Sequence, residues 1–162
     1  MPDSLISIKD KAMLIKSVKP INFLFYRTET RIAELADLTW VAKDLFKEAV
    51  AQDLTVTGPV HWHYFGFSGE ESQPFTLEIA LPIADFPQEY DGRFHFKRTE
   101  PFRCVTLMHE GSWYEMPKTY DKLMEFVSKR KLTPNSINRE LYINADFKDP
   151  EANVTEIQIG IT

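Results

Sequence analysis

The chain has 162 residues, 43% of them hydrophobic and 27% charged, a composition typical of one globular domain spanning residues 1–162. Its net charge of −5 argues against direct nucleic-acid binding, because phosphate recognition requires clustered lysine and arginine. The single cysteine, Cys104, excludes an internal disulfide and a cysteine-based zinc site and indicates a reducing, cytoplasmic location. The sequence shows neither a secretory segment nor an apolar run of membrane-spanning length, so we expect neither secretion nor membrane insertion.

The first half of the chain is predicted to form two extended segments, a helix and two strands, in that order. Pro20 separates the extended segments at residues 14–18 and 23–27, because proline interrupts a strand. Apolar residues then recur at helical three-and-four spacing over residues 32–49. The two predicted strands that follow comprise residues 60–67 and 75–83.

The second half repeats this order of elements. Lys16 recurs as Lys97 and Pro20 recurs as Pro101, in both cases 81 residues further along the chain. A second amphipathic helix is predicted over residues 116–127. The extended segments of this half comprise residues 94–97, 103–109, 137–143 and 154–161.

This internal repeat predicts an α+β fold built from two strand-helix-strand-strand units, at approximately residues 12–84 and 93–162. Each unit alone would leave a sheet face and an edge exposed. Fusion into one antiparallel eight-stranded sheet, with both main helices on one face and a ligand cleft on the other, solves this problem.

Strand alternation assigns side chains to the two predicted faces. The residues expected beneath the helices are Phe75, Leu77, Ile79, Leu81, Ile83, Ile137, Leu141, Ile143, Ile157, Ile159 and Ile161. Those expected on the helix-free face are Phe23, Phe25, Trp62, Tyr64, Glu78, Cys104, Thr106, Met108, Asn138, Glu140, Tyr142, Glu156 and Gln158.

The helix-free face is therefore predicted to be both acidic and aromatic. A carboxylate among aromatic rings attracts an organic cation, and each good cation–π contact contributes roughly 1 to 2 kcal/mol. Alternating polar residues are also typical of a solvated sheet face, and alternation alone does not separate the two interpretations. Trp62 and Tyr64 among the carboxylates favour a small-molecule pocket.

Four segments of the sequence resemble the GyrI-like family, the effector-binding domains of several AraC-type and MerR-type multidrug-responsive regulators, which also occur as free-standing proteins. These segments are residues 109–113 (HEGSW), 139–142 (RELY), 150–151 (PE) and 155–157 (TEI). The resemblance extends from about Leu14 to the end of the chain. Trp113 stands where the family usually has tyrosine, and the sequence contains no helix-turn-helix segment.

The resemblance implies a duplicated fold with a ligand cleft between its halves. By the family motif, Glu140 is similar to a buried glutamate that contacts cationic drugs, Tyr142 to its aromatic partner, and Glu156 to the glutamate of the Thr-Glu-Ile motif. Together with the strand alternation, this predicts the ligand-binding residues Phe25, Trp62, Tyr64, Glu78, Trp113, Glu140, Tyr142 and Glu156.

Three functions from different classes follow. The leading one is a stand-alone binding protein that senses or sequesters an amphipathic, cationic compound. The alternative, which the family resemblance suggests, is a hydrolase of strained, cyclopropane-containing electrophiles, with Glu140 or Glu156 as general base and Tyr142 or Tyr64 assisting the leaving group. The third is a gyrase-inhibitor-like module that binds a basic protein partner.

No metal or cofactor is predicted. His61 and His63 share one side of a strand, but no third ligand lies nearby in the sequence, and metal sites need three or four. The edge strands permit either a monomer or a dimer.

Overall fold

The computed structural model describes residues 13–162. The expectation that the N-terminus carries no secretory segment falls on residues 1–12, which lie outside this range. The α-helices are α1 (Trp40–Ala51) and α2 (Met116–Lys129). The strands are β1 (Leu14–Val18), β2 (Asn22–Thr30), β3 (His61–Phe65), β4 (Phe75–Ile83), β5 (His95–Arg98), β6 (Phe102–Glu110), β7 (Pro134–Asn144) and β8 (Val154–Ile161).

The first predicted helix is divided in the structure. Residues Ile32–Leu38 form a 3-10 segment, and α1 begins only at Trp40. Between the two, the hydroxyl of Thr39 donates to the carbonyl of Ala36 at 3.4 Å, a local bond that competes with continuation of one regular helix. Further 3-10 turns span Trp113–Glu115 and Pro150–Ala152.

All eight strands form one antiparallel sheet, in the order β1-β6-β8-β7-β3-β4-β2-β5. The predicted α+β class and eight-stranded antiparallel sheet are therefore confirmed. The two halves meet where β3 pairs with β7. The first strand of each half crosses to the other half, because β1 pairs with β6 and β5 pairs with β2. This exchange joins the halves at both edges of the sheet as well as at its centre.

Both α-helices lie on one face of the sheet, where they cover two separate apolar clusters. Helix α1 buries Val41, Leu45 and Ala49 against β2 and β4. Helix α2 buries Leu123 and Val127 against β6 and β8. Strands β3 and β7 lie between the strands that the two helices cover. In the described part of the chain, no helix combines the length and the apolar character needed to cross a membrane.

The predicted faces are correct for β4 and β8. Leu77, Ile79, Ile157 and Ile159 pack beneath the helices. The opposite assignment is also correct for β2 and β6: Phe23 and Phe25 pair with Pro82 and Ala80, and Cys104, Thr106 and Met108 pair with Gly160, Gln158 and Glu156, all away from the helices.

The predicted faces are wrong for β3 and β7. Glu140 lies directly opposite Ile157 on one side and Trp62 on the other, so it shares the helix face with them. Trp62, Tyr64, Asn138, Glu140 and Tyr142 are therefore on the helix face, whereas Ile137 and Leu141 lie on the other side. Ile143 follows Tyr142 at an irregularity of β7 and is 48% exposed. The alternation of β7 suggested that its apolar residues face the helices. Instead Glu140 and Tyr142 face them, because hydrogen bonds from other elements allow these polar side chains to be buried.

Candidate functional site

Glu140 lies near the middle of β7 and accepts hydrogen bonds from three tyrosine hydroxyls. Tyr64 donates to its Oε1 at 2.8 Å and Tyr142 to the same oxygen at 2.5 Å, while Tyr120 donates to Oε2. Only 4% of Glu140 is exposed. We call these four residues the Glu140 cluster.

Three different elements supply the phenols of this cluster. Tyr142 follows Glu140 by two residues and therefore projects from the same face of β7. Tyr64 comes from β3 in the first half of the chain, and Tyr120 comes from α2 above the sheet. The site consequently forms only when both halves and α2 are packed together.

The sequence prediction included Tyr64, Glu140 and Tyr142 but missed Tyr120. Tyr120 falls on the apolar stripe of α2, a pattern typical of core packing. A buried tyrosine usually has a hydrogen-bond partner for its hydroxyl. The position of Tyr120 on the inward face of α2 was therefore the sequence signal that could have indicated a polar partner such as Glu140.

Aromatic rings connect the Glu140 cluster to the protein surface. The ring centroids of Trp62 and Trp113 lie 5.8 Å and 5.7 Å from that of Tyr142. Phe147 lies 5.3 Å from Trp113 and is 72% exposed. We call Trp62, Trp113 and Phe147 the aromatic rim. The sequence prediction missed Phe147, which lies in the loop before β8.

The indole of Trp113 is fixed at this rim by a hydrogen bond. Its Nε1 donates to the hydroxyl of Thr155 in β8 at 3.2 Å. Nearby, His109 bridges the end of β6 to α2: Nε2 donates to the carbonyl of Ser112 at 2.8 Å and Nδ1 accepts from the hydroxyl of Thr119 at 2.7 Å. These contacts fix the entry of α2 relative to the sheet and thereby the position of Tyr120.

The electrostatics of the cluster are those of a buried anion without a counter-cation. Burial raises the pKa of Glu140, although the hydrogen bonds from the three phenols and, to a smaller extent, the charge of His109 oppose this shift. Burial and the charge of Glu140 raise the pKa of each of the three tyrosines well above the ordinary range, so their hydroxyls remain protonated donors. Within residues 13–162, no lysine, arginine or histidine forms an ion pair with Glu140.

Glu78 and Glu156 lie on the helix-free face and are not brought together with Glu140. Glu78 pairs with Lys97 and with Arg27, whose Nη2 lies 2.7 Å from Oε2. Glu156 pairs with Lys16 at 2.6 Å and accepts from Thr106 and Gln158 at 2.8 Å each. Burial opposes ionisation of Glu156, but these hydrogen bonds outweigh it and lower its pKa.

Phe25 also lies on the helix-free face, away from the Glu140 cluster. It is 4% exposed and packs with Phe23 and Ala80, while its ring centroid lies 5.6 Å from that of His95. Of the eight predicted ligand-binding residues, the structure therefore brings together Trp62, Tyr64, Trp113, Glu140 and Tyr142 and separates them from Phe25, Glu78 and Glu156.

His61 and His63 are bonded to each other on the helix-free face. Lys97 Nζ lies 2.9 Å from Nδ1 of His63, and Nε2 of His63 lies 3.1 Å from Nδ1 of His61. An ammonium only donates, so Nδ1 of His63 accepts and its Nε2–H donates to His61. Both rings are thus neutral partners in a hydrogen-bonded chain, and the described residues contain no group of three potential metal ligands.

A single antiparallel sheet with two helices on one face and a buried polar cluster reached through aromatic rings defines a small-molecule-binding domain. The chain belongs to the GyrI-like family, since the model of the GyrI-like small molecule binding domain matches residues 12–162. This confirms the resemblance drawn from the sequence. No curated protein matches the chain significantly by sequence.

Three solved structures share the fold. EcmrR in a complex with DNA has a TM-score of 0.79 at 18% identity, and the match covers 93% of this chain but only 57% of EcmrR. The EcmrR C-terminal domain has a TM-score of 0.75 at 20% identity over 93% of this chain and 97% of that domain. SAV2435 bound to tetraphenylphosphonium has a TM-score of 0.63 at 12% identity over 94% of each chain. At these identities the similarity shows a common fold.

Proposed function

We propose that this protein binds a lipophilic organic cation at the Glu140 cluster, as a sensor or a sequestering protein. The observation that carries the proposal is a carboxylate, 4% exposed, that three phenols surround and that no cationic side chain of the described residues neutralises. Transfer of a charge from water to the protein interior is costly unless an opposite charge or strong hydrogen bonds compensate it. A bound cation would supply the missing charge.

The aromatic residues around Glu140 suit the apolar part of such a ligand. Their ring faces attract a cation directly, at roughly 1 to 2 kcal/mol for each well-placed contact. Trp62 and Trp113 flank Tyr142, so a cation near Glu140 would have aromatic surface on more than one side. A hydrophilic cation would gain the charge compensation but lose most of the ring contacts.

Ligand entry requires movement of the tyrosines, because Glu140 is buried beneath them and is only 4% exposed. We expect the ligand to enter past the aromatic rim, because the rim extends from Tyr142 to the surface, where Phe147 is 72% exposed. Trp113 lies in the 3-10 turn before α2, an element of only three residues. We expect this turn and the side chain of Tyr142 to shift when a ligand binds.

Two related structures support the class of ligand and the role. SAV2435, which shares the fold, binds tetraphenylphosphonium, a lipophilic cation. EcmrR, which shares it through its C-terminal domain, is found in a complex with DNA. The first favours a cationic ligand here, and the second favours a sensing role in which ligand binding is communicated to transcription.

Tryptophan fluorescence provides a direct test, because Trp62 and Trp113 lie at the rim of the proposed site. Wild-type protein would be titrated with tetraphenylphosphonium and with triphenylphosphine oxide, a neutral compound that carries three phenyl groups on phosphorus instead of four. We expect saturable quenching by the cation and a weaker response to the neutral compound.

Two glutamine variants complete the design. Glu140→Gln removes the proposed charge, and Glu156→Gln is the matched control because it removes a buried carboxylate on the opposite face. We expect affinity for the cation to fall at least about tenfold in the first variant and to persist in the second. Equal affinities in both variants, or no saturable response to any lipophilic cation, would refute the proposal.

Hydrolysis at the same cluster is the alternative function, and the hydrogen bonds of Glu140 favour binding over it. A general base must reach the attacking water, yet both carboxylate oxygens already accept from tyrosines. Glu156 is engaged by Lys16, Thr106 and Gln158 on the other face. Turnover of a cyclopropane-containing electrophile that disappears in Glu140→Gln would nevertheless establish the hydrolase.

A further inference from the structure

Arg139 occupies the centre of the helix-free face and is an unpaired buried cation. It is 5% exposed, and its guanidinium carbon lies 3.9 Å from the ring centroid of Phe102. Two of its nitrogens, Nε and Nη1, are buried without a hydrogen-bond partner among residues 13–162. Stacking on Phe102 engages the flat side of the guanidinium and leaves these in-plane donors unsatisfied.

The register of the sheet explains why Arg139 lacks a counter-ion. Its direct neighbours across the strands are His63 in β3 and Gln158 in β8. His63 is neutral because it accepts a hydrogen bond from Lys97. Gln158 donates its amide N–H to Glu156, and its own Oε1 is buried without a hydrogen-bond partner in the described part of the chain. The neighbours of Arg139 therefore provide no negative charge.

The two buried carboxylates on this face are already occupied. Glu78 pairs with Arg27 and Lys97, and Glu156 pairs with Lys16. By register Glu29 and Glu110 also lie on this face, but no carboxylate of residues 13–162 forms an ion pair with Arg139. His61 accepts at Nδ1 and therefore carries its proton on Nε2, which adds another donor to the same face.

We propose that the helix-free face contains a second ligand site, for a small oxyanion bound by the Nε and Nη1 edge of Arg139. A carboxylate or phosphate group presents two oxygens that match the two adjacent donors of a guanidinium. The proposal is independent of the cation site, because Arg139 and Glu140 project from opposite faces of β7. A ligand of this class would compensate the buried charge of Arg139 and satisfy its two unpaired donors.

Nuclear magnetic resonance of the arginine Nε–H groups tests this directly in the full chain. Wild-type protein labelled with nitrogen-15 would be titrated with acetate and with inorganic phosphate, using chloride at equal ionic strength as the reference. The Arg139 signal is identified by its absence in Arg139→Lys. We expect acetate, phosphate or both to shift it saturably, and the stronger of the two identifies the preferred oxyanion chemistry.

Two lysine variants and a stability measurement distinguish a specific site from general charge effects. Arg139→Lys keeps the charge but loses the paired donors, and Arg103→Lys makes the same change at an exposed arginine. The thermal midpoint of wild type should rise with the preferred anion above the chloride reference, and Arg139→Lys should bind that anion at least about tenfold more weakly. Arg103→Lys should behave as wild type.

The proposal fails if neither acetate nor phosphate shifts the Arg139 signal or raises the thermal midpoint beyond chloride. It also fails if every arginine signal moves in parallel without saturation, because that is screening by salt. Should Arg139→Lys not fold, as judged by circular dichroism, triple-resonance spectra of wild-type protein labelled with carbon-13 and nitrogen-15 assign the Arg139 signal, and the wild-type titration and thermal midpoints decide the question.

Discussion

Tyr64 in β3 donates a 2.8 Å hydrogen bond to Glu140 in β7, and this bond crosses the boundary between the two halves of the chain. The two strands are paired antiparallel at the centre of the sheet. Glu140 is also bonded to Tyr120, so the same carboxylate joins the first half, the second half and α2. Changes at this residue should therefore affect both ligand binding and the stability of the fold.

The first prediction concerns the pH dependence of stability. Burial raises the pKa of Glu140 above its unfolded value of about 4.3, so the folded state retains this proton over a pH range in which the unfolded state has lost it. The contribution of Glu140 to stability therefore falls as the pH rises from about 4.3 through the folded pKa and is level above it. Glu140→Gln should abolish this fall and become more stable relative to wild type as pH increases, as measured by urea unfolding at a series of pH values. Parallel pH profiles for the two proteins would contradict this account.

The affinity for a cation should depend on pH through the same carboxyl group. The ionised form of Glu140 binds the cation, and a raised pKa means that the free protein keeps this carboxyl group protonated to a higher pH than an ordinary glutamate does. Affinity should therefore increase with pH and reach a plateau above the pKa of the free protein. Fluorescence titrations with tetraphenylphosphonium at several pH values measure this slope. Glu140→Gln, which has no carboxyl group to ionise, should show little slope; an equal slope in both proteins would assign the effect to another group.

The three tyrosine hydroxyls should contribute unequally. Tyr120 is the donor to Oε2 of Glu140, whereas Oε1 accepts from both Tyr64 and Tyr142. Tyr120→Phe leaves Oε2 without this donor and should cost roughly 1.5 to 3 kcal/mol of unfolding free energy at neutral pH, the range for hydrogen bonds to charged groups. Tyr64→Phe should lower the unfolding free energy by less, because Tyr142 still donates a hydrogen bond to Oε1. Urea unfolding of both variants makes the comparison, and a larger loss in Tyr64→Phe would overturn the assigned roles.

Acid should destabilise the protein through the buried histidines. Burial, followed by the charges of Arg139 and Lys97, lowers the pKa of His61 to about 3, against about 6.5 in the unfolded chain. The unfolded state therefore takes up a proton first, so this contribution is complete above about pH 6.5 and is lost as the pH falls toward 3.

His61→Gln retains an acceptor for His63 but cannot titrate in this range. It should lose less stability on acidification than wild type, with His63 accounting for part of the remaining slope because burial also lowers its pKa. Urea unfolding at decreasing pH measures the difference, and His95→Gln, at an exposed histidine, is the control. An acid slope unchanged by His61→Gln would show that other groups dominate the loss.

Some of the site was accessible from sequence because local patterns carry it. Proline breaks and helical spacing predicted the order of elements, and the motif at residues 139–142 identified Glu140 and Tyr142 through the family resemblance. The opposite faces of β4 and β8 were also assigned correctly, since their isoleucines and leucines belong to the core. In each case neighbouring residues alone contain the signal.

The sequence by itself determined the α+β class and the repeated order of elements, and it indicated Glu140 as a candidate site residue. Tertiary structure decided which face Glu140 occupies, because a period of two is compatible with either face and the phenol of Tyr120 in a distant helix stabilises the buried carboxylate. It also decided that Glu78 and Glu156 form ion pairs with lysines, whereas Arg139 forms no ion pair within residues 13–162. Partners across a sheet depend on its register, which the sequence of one strand does not contain. Local sequence fixes the periodicity of a strand, but only packing determines which groups meet.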